Sequence, residues 1–119
     1  MKAIKIDAEK GQVYEVEVAK GLQPIYDAIG NNCSLIECPI AFENGDGIFV
    51  DEEISFRVDD IVGAWVMEGY DFGRPILNNG LICGSDQEGE RVDCESDLEE
   101  IRSKVKFFKA IRRFGLEPR

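Results

Sequence analysis

The sequence contains no histidine, and this absence excludes several kinds of catalytic site. Histidine is the usual general base near neutral pH, and it completes the Ser-His-Asp and Cys-His arrangements of nucleophilic enzymes. Mixed cysteine-histidine zinc sites need it as well. The sequence therefore predicts no catalytic residue and favours a non-enzymatic protein over an enzyme.

Cysteine is scarce, and its spacing matches no common metal site. The four residues are separated as C-x4-C and C-x10-C, unlike the close pairs of zinc sites. Three of them stand inside apolar runs, which is typical of buried structural thiols. We predict no metal and no cofactor at these residues: Cys33, Cys38, Cys83 and Cys94.

Long hydrophobic runs are missing. No apolar stretch approaches the roughly 20 residues that cross a bilayer, so the sequence predicts no membrane association. The N-terminal residues alternate polar and apolar types and lack the apolar core of a signal peptide. These features predict a cytoplasmic protein whose cysteines are reduced.

Basic residues are rare in the middle of the chain. Residues 37–100 carry eighteen acids and three bases, whereas residues 101–119 carry one acid and seven bases. This balance argues against direct nucleic-acid binding, because the phosphate backbone requires clustered Lys and Arg. The charge distribution leaves two interpretations. In the first, the acids form a solvated surface and the bases lie in the last turns of a helix, where cations are favourable. In the second, the acids form a docking surface for a basic protein partner.

The N-terminal third predicts two strands and a short helix. Alternating residues at 2–7 and 12–18 indicate a β-hairpin. Apolar residues then recur at helical spacing in 22–30, and Gly30 suits the position just past a helix end. We expect this helix, of about two turns, to lie on the sheet.

An apolar run at residues 33–42 predicts the next strand. It is central as far as Pro39 or else lies at a sheet edge, since proline donates no ladder hydrogen bond. The following Asn-Gly and Asp-Gly pairs predict a hairpin turn. They also imitate part of a calcium loop between Phe42 and Glu53, but the first loop position is an apolar phenylalanine. The hairpin is the favoured interpretation.

The second half of the chain predicts more strands and one long helix. Residues 54–60 alternate as a strand or an extended link, and Trp65 centres a buried strand. Residues 80–84 fit a final strand. From Ser96 the apolar residues recur at helical spacing. Ser96 and Glu99 form a capping box, and Gly115 is predicted to end this helix.

Together these elements predict one α+β domain over residues 1–119. A mostly antiparallel sheet of about five or six strands is packed by the short helix and by a long C-terminal helix. We divide the chain into a sheet-rich body at 1–84, a polar loop at 85–95 and the helix at 96–114.

Two surfaces are candidate binding sites. The first is the loop at 69–80, which offers aromatic rings, one arginine and amides on what we expect to be a rigid sheet. Its candidate residues are Tyr70, Asp71, Phe72, Arg74, Asn78 and Asn79. The second is an acidic interaction surface formed by Asp51, Glu52, Glu53, Asp59 and Asp60.

The order of four segments resembles a family of small domains carried by bacteriophages and bacterial mobile elements. These segments read LQPIYDAIG, CSLIECPIAF, NGDGIFVDEE and RPILNNGLICG, and the resemblance covers about residues 1–85. The C-terminal helix is an addition to the pattern. The family has no established activity, so the resemblance implies only a bacterial cytoplasmic setting.

The predicted function is that of a small acidic accessory protein that binds a protein partner with a basic surface, such as a host factor. Its sharpest form is a DNA mimic, in which the acids occupy a nucleic-acid site on the partner. The alternative is a small-molecule-binding domain or enzyme with its site in the 69–80 loop. A homodimer through an edge strand is a further alternative.

Overall fold

The computed structural model describes residues 1–111 and 115–119, and within them ten strands and two α-helices are formed. In chain order these are β1 (Lys2–Asp7), β2 (Gln12–Glu17), α1 (Leu22–Ile29), β3 (Ile36–Ala41), β4 (Gly47–Asp51), β5 (Gly63–Met67), β6 (Ile76–Leu77), β7 (Gly80–Ser85), β8 (Arg91–Val92), α2 (Leu98–Lys104), β9 (Val105–Ala110) and β10 (Leu116–Pro118). Neither helix has the length and hydropathy needed to span a membrane.

The strands form two antiparallel sheets. The first has the order β2-β1-β7-β4-β3, with β8 also paired to β7, and the second has the order β10-β9-β5-β6. The predicted α+β class with mostly antiparallel strands is confirmed. The prediction of one sheet is wrong, because β5 pairs with β6 and β9 in a second sheet.

The first sheet is covered on both faces. One face packs α1 in a core formed by Ala3, Val18, Ile25, Ile29, Cys33, Phe49, Leu81 and Cys83. The other face packs against the second sheet and α2 around the fully buried Trp65, with Ile4, Ile6, Ile48, Val50, Ile82, Met67, Ile101 and Val105. This double cover explains why the central strands β4 and β7 are almost continuously apolar.

The N-terminal predictions are confirmed. β1 and β2 pair as a hairpin in which Lys2 lies opposite Glu17 and Asp7 lies opposite Gln12. The short helix forms at the predicted place, and it buries Ile25 and Ile29, which are four residues apart and share a helix face.

The strand β3 lies at the edge of the first sheet and is not central. It pairs with β4 through the predicted hairpin, but the register shifts between Glu37 and Ile40. This irregularity contains Pro39, whose missing N–H interrupts the ladder. In the hairpin turn, the buried Asp46 carboxylate accepts hydrogen bonds from the backbone of Glu95 and from the Ser96 hydroxyl at 2.6 Å.

The predicted long C-terminal helix is wrong beyond Lys104. Only α2 is helical, its N-cap is Asp97 in place of Ser96, and the next six residues form β9. The sequence VKFFKA contains a β-branched residue and two aromatic residues, which favour strands, and pairing with β5 places Phe107 opposite Trp65. That sheet pairing overrides the helical spacing. The end of the predicted helix, residues 112–114, lies outside the described residues.

Residues 54–60 are neither a strand nor an extended link. They form two consecutive 3₁₀ turns, Ile54–Phe56 and Val58–Asp60. Arg57, between the turns, bonds back to Asp51 and forward to Asp60, which holds the segment in a folded conformation.

Two glycines permit close contact between the sheets. A Cβ atom at Gly63 would clash with the carbonyl oxygen of Ala8, which follows β1. A Cβ at Gly80 would lie 3.0 Å from the Trp65 ring. The Ala8 carbonyl group therefore approaches the Gly63 backbone closely, and the indole packs against Gly80.

Candidate functional site

A pocket of about 300 Å³ lies between the outer strand of the first sheet and the outer strand of the second. The β3 edge and the end of β4 form one side, and the loop that leads into β6 forms the other. Its lining consists of Glu37, Pro39, Val50, Asp51, Glu52, Ile54, Ser55, Phe72, Arg74, Pro75, Ile76 and Leu77.

The pocket brings together the two surfaces that the sequence predicted separately. Asp51 and Glu52 come from the acidic arm, which is the predicted acidic interaction surface of Asp51, Glu52, Glu53, Asp59 and Asp60. Phe72 and Arg74 come from the 69–80 loop. About 20 residues of chain separate the two pairs, and the intervening chain includes β5. Their meeting is a consequence of how the two sheets are packed.

Asp51 is a buried carboxylate that already has a cationic partner. Its side chain is 1% exposed, and Arg57 contacts it at 2.5 Å. Arg57 also donates to Asp60 at 2.9 Å and to the carbonyl oxygen of Asn31 at 3.0 Å. The hydrogen bond to Asp51 is the main cause, and the one to Asp60 the second, of a pKa of Arg57 above its ordinary value. The guanidinium is therefore permanently charged.

The rest of the acidic arm is divided between paired and exposed carboxylates. The hydrogen bond from Arg57 lowers the pKa of Asp60 below its usual 3.8. Glu52 and Asp59 are exposed, and Glu53 is half-buried. The acidic surface that remains available to a partner is therefore Glu52, Glu53 and Asp59.

Asn78 is buried, and its polar groups are bonded to the protein. Its amide oxygen accepts from the Val62 N–H at 2.8 Å, and its amide nitrogen donates to the Asp60 carbonyl at 2.9 Å. The backbone carbonyl oxygen of Asn78 accepts a hydrogen bond from the Trp65 indole N–H at 2.9 Å. Its backbone has a φ of 62°, a conformation that asparagine tolerates better than most residues. Asn78 positions the segments around the pocket.

The side-chain amide of Asn79 also connects two separate segments of the chain. Its amide oxygen accepts from the Ala8 N–H at 2.8 Å, and its amide nitrogen donates to the Ile29 carbonyl, also at 2.8 Å. It thereby ties the end of β1 to the end of α1. Ligand binding by Asn78 and Asn79 stays a prediction, and the geometry gives both a connecting role.

Tyr70 and Asp71 are not among the residues that line the pocket. The Tyr70 ring packs edge-on against Phe42, with the ring centres 5.7 Å apart. The Asp71 carboxylate accepts a hydrogen bond from the Gly73 N–H at 2.8 Å, which shapes the turn before Arg74. Neither residue contributes to the pocket wall.

Two exposed apolar residues beside the pocket were missed. Phe56 is 84% exposed and Val58 is 71% exposed, although the alternation at residues 54–60 predicted a strand or an extended link there. They follow Ser55, which lines the pocket. The one signal in the sequence was the acidic composition on both sides of this segment, which is unusual for a core strand.

The cysteines form no metal site within residues 1–111 and 115–119, where metal-ligating side chains are not grouped in threes. Burial raises the pKa of Cys33 to about 11 and that of Cys83 to about 12. At neutral pH both are therefore thiols, which are poor nucleophiles and poor ligands.

Comparison of the chain with protein-family models, with curated proteins and with solved structures found no match. The resemblance to a phage-borne family therefore stays a prediction. The function has to be inferred from the geometry and charge of the pocket and its surroundings.

Proposed function

We propose that the protein is a small acidic interaction protein that binds a partner protein with a basic surface. The observation that carries this proposal is the combination of exposed apolar side chains with exposed acids around one pocket. Phe56, Val58 and Phe72 supply the apolar contacts. Glu52 and Asp59 supply the charge. Interfaces between proteins have this composition, with an apolar centre and a polar rim.

The charge distribution supports a basic partner. The net charge is −10, and most acids of residues 37–100 are exposed. Complementary potentials steer association and discriminate against acidic partners. A protein with this potential is itself repelled by nucleic acid.

Three cations near the C-terminal end of the chain are paired within their own elements. In α2 Arg102 pairs with Glu99 and Lys104 pairs with Glu100. In the second sheet Lys109 of β9 pairs with Glu117 of β10. These bases stabilise their own elements.

DNA mimicry is the finer version of the proposal. In that version the partner is a nucleic-acid-binding protein, and the exposed acids take the place of phosphates. A bacterial cytoplasm, in a cell carrying a phage or mobile element, is the setting we propose on the basis of the resemblance.

A small-molecule site is the second candidate function. The pocket is at the lower end of the range of about 300 to 1,000 Å³ that ligand pockets occupy. Its apolar wall contains Ile54, Ile76 and Leu77, and Arg74 offers a charged donor. This candidate would be favoured if a small anion or carboxylate, and no protein, bound there.

The test is capture of bacterial proteins on the immobilised chain at two salt concentrations. Between about 0.1 and 1 M salt the screening length falls from about 10 to about 3 Å, so the capture of basic proteins should fall sharply. The variant E52K/E53K/D59K should capture less at low salt.

The control carries the same charge change elsewhere. E15K/E43K/E88K alters three exposed acids outside the pocket and should retain most of the capture. Equal capture by wild type and the pocket-side variant, or capture that does not respond to salt, would refute the proposal. Displacement of the captured proteins by duplex DNA would distinguish DNA mimicry from other basic partners.

A further inference from the structure

The pocket walls contain three charged groups without an ion pair in the described residues 1–111 and 115–119. These are Glu37, Glu52 and Arg74. All three side chains are exposed at the pocket. Asp51, the fourth charged residue of the wall, is neutralised by Arg57. The charges available to a ligand are thus two carboxylates and one guanidinium.

Apolar surface makes up the rest of the wall. Pro39 and Val50 lie on the side of the first sheet, and Phe72, Pro75 and Leu77 lie on the other side. Phe72 is 43% exposed, so part of its apolar surface is open to solvent. An apolar side chain inserted here would remove surface from water on two opposite walls.

We propose that the pocket receives a short segment of the partner protein in which one large apolar side chain is flanked by Lys or Arg. The apolar side chain enters between Phe72 and Pro39. The flanking cations meet Glu37 and Glu52, and the Arg74 guanidinium donates to backbone carbonyl oxygens of the segment. The inference rests on the proposed function and specifies the chemistry of the bound segment.

The segment is recognised through its side chains and not through strand addition. Two edge strands border the pocket: in β3, Pro39 and the register shift between Glu37 and Ile40 interrupt the ladder, and β6 is only 2 residues long. An interrupted edge gives an added strand few regular backbone partners. The carboxylates and the apolar wall therefore supply the specificity.

A second copy of this chain is a poorer occupant than a foreign segment. The described cations at the C-terminal end are largely used in ion pairs within the chain, at Arg102, Lys104 and Lys109. Binding a second copy through them would first break those pairs. A foreign basic segment has no such cost.

The test uses a display library of random dodecapeptides selected on the full-length chain. Selected sequences should be enriched in Lys and Arg next to Leu, Ile, Phe or Trp. A synthetic peptide of the selected sequence, titrated by fluorescence polarisation, should bind E37K/E52K about tenfold or more weakly, because attraction is replaced by repulsion. S55W should lose binding as well, because Ser55 is an exposed residue of the pocket wall and the larger indole ring would occupy space in the pocket.

Matched controls separate the pocket from general charge and from misfolding. E15K/E88K has the same net charge as E37K/E52K but changes β2 and the β7–β8 turn, and Q87W places the same ring at an exposed site away from the pocket. Both should bind like wild type.

Three results would overturn the inference. One is selection without enrichment of basic residues, and another is equal binding by E37K/E52K and E15K/E88K. The third is self-association of the chain that the peptide does not displace. If S55W and E37K/E52K bind the peptide normally while F56S/V58S abolishes binding, the pocket inference fails and the proposed interaction surface stands.

Discussion

Two neighbouring parts of the molecule reverse the usual placement of polar and apolar residues. Asn78 and Asn79 are 1% and 4% exposed, whereas Phe56 and Val58 are 84% and 71% exposed. Both parts border the same pocket region. Burying an amide is unfavourable unless its groups are hydrogen-bonded, and exposing a phenyl ring forgoes the stabilisation that its burial would bring.

The difference teaches which residues hold the site and which are free to bind. The asparagine amides replace secondary-structure bonds for Ala8, Ile29, Val62 and Asp60, so stability depends on them. The exposed apolar residues contribute little to the fold. We therefore distinguish a polar framework, formed by Asn78 and Asn79, from the proposed apolar contact surface, formed by Phe56 and Val58.

The largest expected effect is that of Asn79→Ala. Truncation leaves the Ala8 N–H and the Ile29 carbonyl without partners in a buried position, and each such group costs about 1–3 kcal/mol. We expect a loss of about 4 kcal/mol in the free energy of unfolding, measured by urea titration with Trp65 fluorescence. Gln87→Ala, at an exposed amide, should change stability by less than about 0.5 kcal/mol. A loss below about 1 kcal/mol for Asn79→Ala would contradict the framework role.

Arg57→Ala should have the next largest effect. It leaves the buried Asp51 carboxylate without its cation and releases Asp60, and breaking a buried pair from one side costs about 3 kcal/mol or more. The exposed pair of Lys104 and Glu100 provides the matched control, because Lys104→Ala should cost about 0.5 kcal/mol or less. Equal losses in the two variants would show that the pair of Arg57 and Asp51 stabilises the fold no more than an exposed ion pair does. The same urea titration measures both.

Alkaline pH should destabilise the protein to a smaller extent. Burial, with the hydrogen bond to Asp7 as a second cause, raises the pKa of Tyr14 from 10.0 to about 12. Burial raises the pKa of Cys83 from 9.0 to about 12. Because the folded-state pKa values are raised, the stabilisation is complete below pH 9 and is lost as the pH rises to 12. We expect a loss of about 2 kcal/mol across that range, measured as urea midpoints.

Tyr14→Phe checks the origin of that pH dependence. The variant lacks the phenol, so its stability should change less between pH 10 and pH 12 than that of wild type. An unchanged pH profile in Tyr14→Phe would assign the effect to the thiols alone.

The smallest effect on stability should come from F56S/V58S. Both side chains are mostly exposed, so replacing them should alter the free energy of unfolding by less than about 0.5 kcal/mol. Partner capture should nevertheless fall, because these residues supply apolar contact area. Destabilisation by more than about 1 kcal/mol would remove the contrast between the framework and the contact surface.

Local pattern was sufficient where a segment's periodicity agreed with its final neighbours. The N-terminal hairpin, the helix α1 and the Asn-Gly turn between β3 and β4 were all predictable for this reason. The pattern failed at residues 105–110, where the spacing of the apolar residues is helical but pairing with β5 forms a strand. It failed again at Phe56, where an arginine bonded to two aspartates folds the chain into 3₁₀ turns.

The sequence by itself determined the charge, the absence of histidine chemistry, the turn positions and four of the residues that line the pocket. Those are properties of single residues or of short stretches, so they do not depend on distant partners. Only the tertiary structure decided that the acidic arm and the 69–80 loop share one pocket, that Asn78 and Asn79 are framework residues and that Phe56 faces solvent. Each of these depends on how the second sheet packs against the first, and that is set by long-range pairing of β5 with β9.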